Sequence, residues 1–339
     1  MKQLMKKLLH KFQKLDLINL NKKTLKTSLK NSKLFNKDEN LKKDSLDQIA
    51  FLAENDLSPA EIESFLNISL LDFNQEFFTK SYKQYSNLLG YLNTIQLISY
   101  INFNEKFKKE LFSSLSKKII YPIFLIGFAF TTLVIFKFSI LPLLESFGQS
   151  RAMIFINIFY YLSVIVTIII VLIIILSIYV FKNPTYSIIV YFRLYNFRIF
   201  KVIESYYLTI LAHLLISFDN QGLSTYQTFK LINKFKGSTI VSNLAYFVSS
   251  DLEEGAGLEN SINNMKINDS FKNILIFGIK SNKYNKLLLQ YSKKLVYDIE
   301  REILYIARVL LVFAYVYIGI IVLVLYKILS LPLSLINQI

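Results

Sequence analysis

The sequence contains no cysteine and no tryptophan, and of its 339 residues only two are histidine. Without cysteine there is no disulfide scaffold, no thiolate metal site and no cysteine nucleophile. With His10 and His213 as the whole imidazole complement, a histidine-rich metal cluster and most imidazole acid–base networks are also ruled out. No G-x-x-x-x-G-K-[ST] phosphate loop occurs, so nothing points to nucleotide hydrolysis. The first twenty residues are basic but lack the apolar stretch of a signal peptide, and a cleaved leader is not expected. The expectation is a protein that is not an enzyme, with no catalytic, cofactor-binding or metal-binding residues.

What the chain has in quantity is apolar mass and positive charge. Apolar residues make up 53%, with 29 Phe and 22 Tyr, and the net charge is +15. The charge lies in two places: residues 1–118 carry 20 Lys against 13 acids, and residues 182–305 carry 15 basic residues against 10 acids. Between and after them run uncharged stretches. Ile119 to Phe136 holds 18 such residues and Val309 to Tyr326 another 18, each about 27 Å long as a helix, enough for the hydrocarbon core. Ala152 to Phe181 holds 30, which requires tilt or projection. A strand reading fails because lipid leaves an unpaired strand's backbone unsatisfied.

Lysines and arginines flank these runs unevenly. Lys106, Lys108, Lys109, Lys117 and Lys118 precede the first, Lys182, Arg193, Arg198 and Lys201 follow the second, and Lys286, Lys293, Lys294 and Arg301 precede the third. The positive-inside rule makes those flanks cytoplasmic, with the N-terminus inside and the C-terminus outside a cell membrane. The expected organisation is a basic N-terminal segment 1–44, a helical domain 45–118, spans at 119–144 and 152–181, a second helical domain 182–305 and a third span at 306–335. The fold class is all-α: two helical-bundle cytoplasmic domains and three transmembrane helices. In the N-terminal segment Leu4, Leu8 and Phe12 share a helical face between lysines, either lying on the inner leaflet or packing on the protein itself.

Three pairs of landmarks recur at one offset: Lys118 and Arg308, Lys137 and Lys327, Pro142 and Pro332 are each 190 residues apart. We read this as a parallel duplication, with Leu141-Pro142-Leu143 and Leu331-Pro332-Leu333 ending their helices because proline lacks an N–H and crowds the preceding turn. Ser58-Pro59-Ala60-Glu61 and Ser224-Thr225-Tyr226-Gln227 each predict a capped helix start. Glycines at Gly222, Gly237, Gly255, Gly257 and Gly278 punctuate the second half as interhelical turns.

This order of parts resembles the inner-membrane platform protein family of type II secretion and type IV pilus systems. Leu223 after Asn220-Gln221-Gly222 resembles the family's "LL-x-x-G-x-x-L" opening. Glu254-Gly255-Ala256-Gly257-Leu258 resembles its "E-G-x-x-L" turn, and Gly278 to Tyr284 its "G-E-x-x-G-x-L", with Ile279 in the acidic position and Asn282 in that of the second glycine. In the first half Leu46, Ile49, Ala50 and Leu52 before Leu57-Ser58 and Glu61 resemble the opening, and Gly90-Tyr91-Leu92 the later G-x-L. The short length is most similar to the competence-pilus branch of Gram-positive bacteria. The resemblance implies a non-catalytic platform whose partners are a cytoplasmic assembly ATPase and pilin or pseudopilin subunits, serving fibre assembly and DNA uptake.

Glu253, Glu254, Gly255, Gly257, Gly278 and Asn282 are the candidate partner-binding residues, an ordinary solvated turn being the bland alternative for the acidic pair. Lys137 and Lys327 are candidates for lipid headgroups or a partner's carboxylate, beside simple snorkelling. Tyr160 and Tyr161 fit an interfacial aromatic belt, and His213 fits a packed helical histidine. No direct nucleic-acid contact is expected, because acids are mixed through both basic parts. Three spans are few for a closed path, so a homo-oligomer is expected. The alternative class is a membrane transporter or channel subunit, against which stands the lack of a carboxylate inside any apolar run.

Overall fold

The computed structural model describes residues 45–330 apart from 56, 74–76, 79–81, 146–150, 195–196, 198–199, 220 and 282. The N-terminal segment 1–44, Asn282 and the Leu331-Pro332-Leu333 motif therefore lie outside the described residues. Every regular element among those described is helical. Besides two 3-10 turns, Leu70–Asp72 and Ser86–Leu88, they are in chain order α1 (45–54), α2 (Pro59–Leu66), α3 (Thr94–Ile135), a π-helical turn (Phe136–Ile140), α4 (Leu141–Glu145), α5 (Arg151–Lys182), α6 (Pro184–Leu194), α7 (Phe200–Asp219), α8 (Thr225–Asn233), α9 (Thr239–Glu253), α10 (Leu258–Asn264), α11 (Asp269–Ser281) and α12 (Tyr284–Leu329).

The described residues divide into two compact units, 45–73 with Thr94–Asn102, and 77–93 with 103–330. In the first, Leu46, Ile49, Ala50, Ile62, Leu97, Ile98 and Ile101 are buried. Helix α2 begins as its sequence requires: the Ser58 side chain accepts from the Glu61 N–H, and the Glu61 carboxylate accepts from the Ser58 N–H at 2.8 Å, with Pro59 at the first helical position. The Ser58 hydroxyl, which donates to Glu61 Oε2 at 2.7 Å, and then the Ser58 N–H hold the Glu61 carboxyl below its ordinary range. The helix ends at Asn67, the one non-glycine residue with positive φ among those described, where a short polar side chain tolerates the left-handed turn.

In the second unit α7 packs along α12, α8 against α9, α9 against α6 and α10, and α11 against α10 and α12. Apolar positions explain the arrangement: Leu208, Leu211, Ala212, Leu215 and Phe218 of α7 are fully buried, as are Leu288 and Ile299 of α12. The part of α3 beyond Asn102 joins this core through Phe107, which packs with Ile299 and Ile303. The ring of Phe107 stacks on Tyr206, and Phe103 stacks on His213 with centroids 3.3 Å apart. Ser224 and Gln227 complete the capping box of α8, like Ser58 and Glu61 in α2.

Four helical stretches are long and apolar enough to cross a membrane: Thr94–Leu143, Ile154–Ser177, Phe200–Asp219 and Tyr284–Leu329. Their burial differs. In α5 every residue from Ile165 to Ser177 is exposed, an apolar surface that water would not tolerate and lipid would, whereas half of the α7 window is buried inside the protein. Where α3, α5 and α12 do meet, Ala129, Leu133, Phe136, Leu141, Ile156, Ile321 and Ile328 form a shared core. There the Tyr317 hydroxyl donates to Ser163 Oγ at 3.2 Å.

Pro142 does not end its helix as the sequence reading expected. The backbone widens into the π-turn just before it, and the Leu141 N–H donates five residues back to the Phe136 carbonyl. The wider turn moves the carbonyl that a proline ring would strike in an α-helix, so the helix continues through α4.

Candidate functional site

The acidic-glycine turn singled out by its resemblance joins α9 to α10. Glu253 is the last residue of α9 and Glu254 its cap. Gly255 follows at φ +85°, a backbone angle at which a side chain would be strained. Gly257 sits at an ordinary φ of −66° as the N-cap of α10. The turn is closed by the Ala256 N–H, which donates to the Asp251 carbonyl at 2.9 Å.

Glu253 already has contacts within the protein. Its Oε1 accepts from the Tyr226 hydroxyl at 2.6 Å and from Lys230 Nζ at 3.0 Å, tying the end of α9 to α8. The Tyr226 hydroxyl first, then the Lys230 ammonium, hold its carboxyl below the usual range. Glu254 is exposed and stands outside that cluster. On the next connection Lys280 donates to Glu259 at 2.6 Å, and Asn264 donates to Asp251 at 3.0 Å.

Gly278 has a different role. It is buried in α11, and a Cβ placed there would lie 3.3 Å from the Cα of Tyr284, the first residue of α12. Its absence of a side chain lets the two helices approach. Beside this crossing a cavity of about 480 Å³ opens, lined among others by Leu215, Asp219, Thr228, Gly278, Lys283 and Tyr284. The cavity thus includes Gly278 but none of Glu253, Glu254, Gly255 and Gly257, so the five described candidates do not share it. No cluster of His, Asp and Glu able to hold a metal occurs among those residues.

Three polar features escaped the sequence reading. Glu204 is 6% exposed near the start of α7, with Oε1 lacking a hydrogen-bond partner; an acid set between Ile203 and the apolar run that begins at Leu208 was the available signal. The Tyr191 hydroxyl is likewise buried without a partner, and burial pushes that phenol far up. Asn104, 3% exposed, donates to the Tyr85 hydroxyl at 2.7 Å, and burial raises this tyrosine's pKa too. Around them Asn87 donates to the Lys234 carbonyl, and Tyr85 stacks on Phe235.

At the other end of the molecule, Lys137 lies in the π-turn with its ammonium 3.9 Å from the centre of the Tyr161 ring and 4.4 Å from that of Tyr160. No family model, curated protein or solved structure matches this chain.

Proposed function

We propose that this protein is a non-catalytic inner-membrane platform that couples a cytoplasmic assembly ATPase to the extraction of pilin-like subunits and their assembly into a fibre. The observation that carries the reading is the pairing of the two longest helices. α3 and α12 begin at Thr94 and Tyr284, 190 residues apart, at the offset of the charged landmarks Lys118 and Arg308. Each carries a basic, water-compatible stretch, residues 105–118 in α3 and 286–308 in α12, before an apolar one. Two capping boxes, at Ser58 and Ser224, stand before them. Duplication of one unit, a helical bundle feeding a membrane span, accounts for all of this.

In this reading three helices cross the bilayer and α7 does not. α7 carries Lys201, Glu204 and Asp219, and it buries Glu204 and Thr209 against protein, whereas α5 leaves its apolar side chains open. Two spans, in α3 and α5, then separate the helical parts, so both lie on one side, the cytoplasmic side where the ATPase is. A continuous helix from bundle to membrane is a stiff lever for passing on its motion, since rigid elements carry displacement. Pilin-like subunits have an apolar helix to lift out of lipid, and the open flank of α5 offers one surface for it.

The test is deletion of the gene followed by immunoblotting of sheared surface material and membranes for the processed subunit. The platform reading expects mature subunit to accumulate in the membrane, no fibre, and rescue when the gene is restored. Normal fibres would overturn it.

A further inference from the structure

We propose that Lys137, Tyr160 and Tyr161 form a phosphate site for a membrane phospholipid at the end of the first and second spans. A lysine at a span's edge ordinarily snorkels outward, extending its stem toward water. Lys137 instead folds back toward α5, with its ammonium over the faces of Tyr161 and Tyr160 at 3.9 and 4.4 Å and 5.9 Å from the centre of Phe138. Phe138 and Tyr160 meet edge to face at 5.7 Å, and Tyr160 and Tyr161 at 5.5 Å, so the rings brace one another. The backbone of the π-turn carries this lysine, and such turns re-aim the side chains they hold.

The rings satisfy only part of the cation. Their quadrupoles attract the charge but accept none of its three N–H donors in an ordinary hydrogen bond. No carboxylate pairs with Lys137 among the described residues, and the side chain is half-buried. A cation drawn away from water without a counter-ion is costly, and no described carboxylate offsets that cost. At the depth where aromatic belts sit, the abundant anion is the lipid phosphate. Lys327, its counterpart 190 residues on, is exposed and lies in an α-helix rather than a π-turn, so this site belongs to the first copy alone. The proposal does not depend on what the protein assembles.

The test is native mass spectrometry of the full chain in mild detergent, with phosphatidylglycerol, with diacylglycerol of the same acyl chains, and with phosphatidylglycerol in competition with inorganic phosphate. Wild type is expected to retain phosphatidylglycerol and release diacylglycerol, and inorganic phosphate is expected not to displace the lipid. Lys137→Met should lower retention about tenfold, the effect of one partly desolvated charge pair. Lys137→Arg should keep it and Lys327→Met should leave it unchanged. Equal retention by wild type and Lys137→Met, or of phosphatidylglycerol and diacylglycerol by wild type, overturns the proposal. Displacement by inorganic phosphate overturns the lipid as its ligand. Equal retention of the two lipids by wild type overturns it even where Lys137→Met fails to fold.

Discussion

Three glycines that the family resemblance treats alike should respond differently to substitution, and Gly278 most sharply. A methyl at Gly278 would meet the Tyr284 Cα at 3.3 Å, Tyr284 Cδ2 at 3.4 Å and Leu287 Cδ1 at 3.9 Å. The nearest atom is backbone at the start of a 46-residue helix, which cannot rotate aside as a side chain would. Gly278→Ala sets this crowding against the gain of about 1 kcal/mol from replacing glycine inside a helix, so its net effect should be small. Gly278→Val keeps the first clash and adds two methyls and a β-branch, which as overpacking costs about 1–3 kcal/mol. For a chain of this size that is a fall of roughly 1–4 °C in melting temperature. The assay is thermal unfolding of purified protein in mild detergent, followed by far-ultraviolet circular dichroism. Gly257→Val is the internal control, because nothing lies within 4 Å of its Cβ position and its φ is ordinary. A Gly278→Val protein melting with wild type would refute the close-approach argument.

Other outcomes follow from single contacts. Gly255→Ala should destabilise by about 1–2 kcal/mol through its positive φ alone, with open space around it, measured in the same melt. Tyr85→Phe should cost about 1–3 kcal/mol by leaving the buried Asn104 amide without its acceptor, and Tyr85→Leu should cost more. Ser58→Ala and Ser224→Ala should each lose about 1 kcal/mol, with Asp at either site close to wild type. Glu253 has a depressed carboxyl pKa, so its contribution is present at neutral pH and is lost as pH falls through the folded value. Because the Lys230–Glu253 pair is solvent-exposed, Glu253→Gln should leave the melting temperature nearly unchanged at pH 7, and any loss of fibre assembly in that variant would then report a partner contact.

Local chemistry was legible in the sequence. The two capping boxes need only residues three apart, and the apolar runs declare themselves by length, so both appear where the pattern put them. Features set by distant packing were not. Nothing near His213 announces Phe103 as its stacking partner, and nothing near Tyr85 announces Asn104 or Phe235. Pro142 misled because a proline's local rule assumes an α-helical turn before it, while the π-turn at Phe136–Ile140 removes the clash. The candidate turn was located correctly as a turn, yet the carboxylate chosen for outward contact, Glu253, is held by Tyr226 and Lys230 from the neighbouring helix. Sequence spacing cannot show that a charged group has already found its partner.

The account rests most on both helical parts facing the cytoplasm, and the chain's lack of cysteine makes that directly measurable. Single cysteines at Asn264, between α10 and α11, and at Ser330, after α12, would be probed in intact cells with a membrane-impermeant maleimide. Three spans predict that Ser330→Cys is labelled in intact cells and Asn264→Cys only after permeabilisation. The reverse pattern would mean that α7 crosses the membrane as a fourth span, and the platform reading would be contradicted.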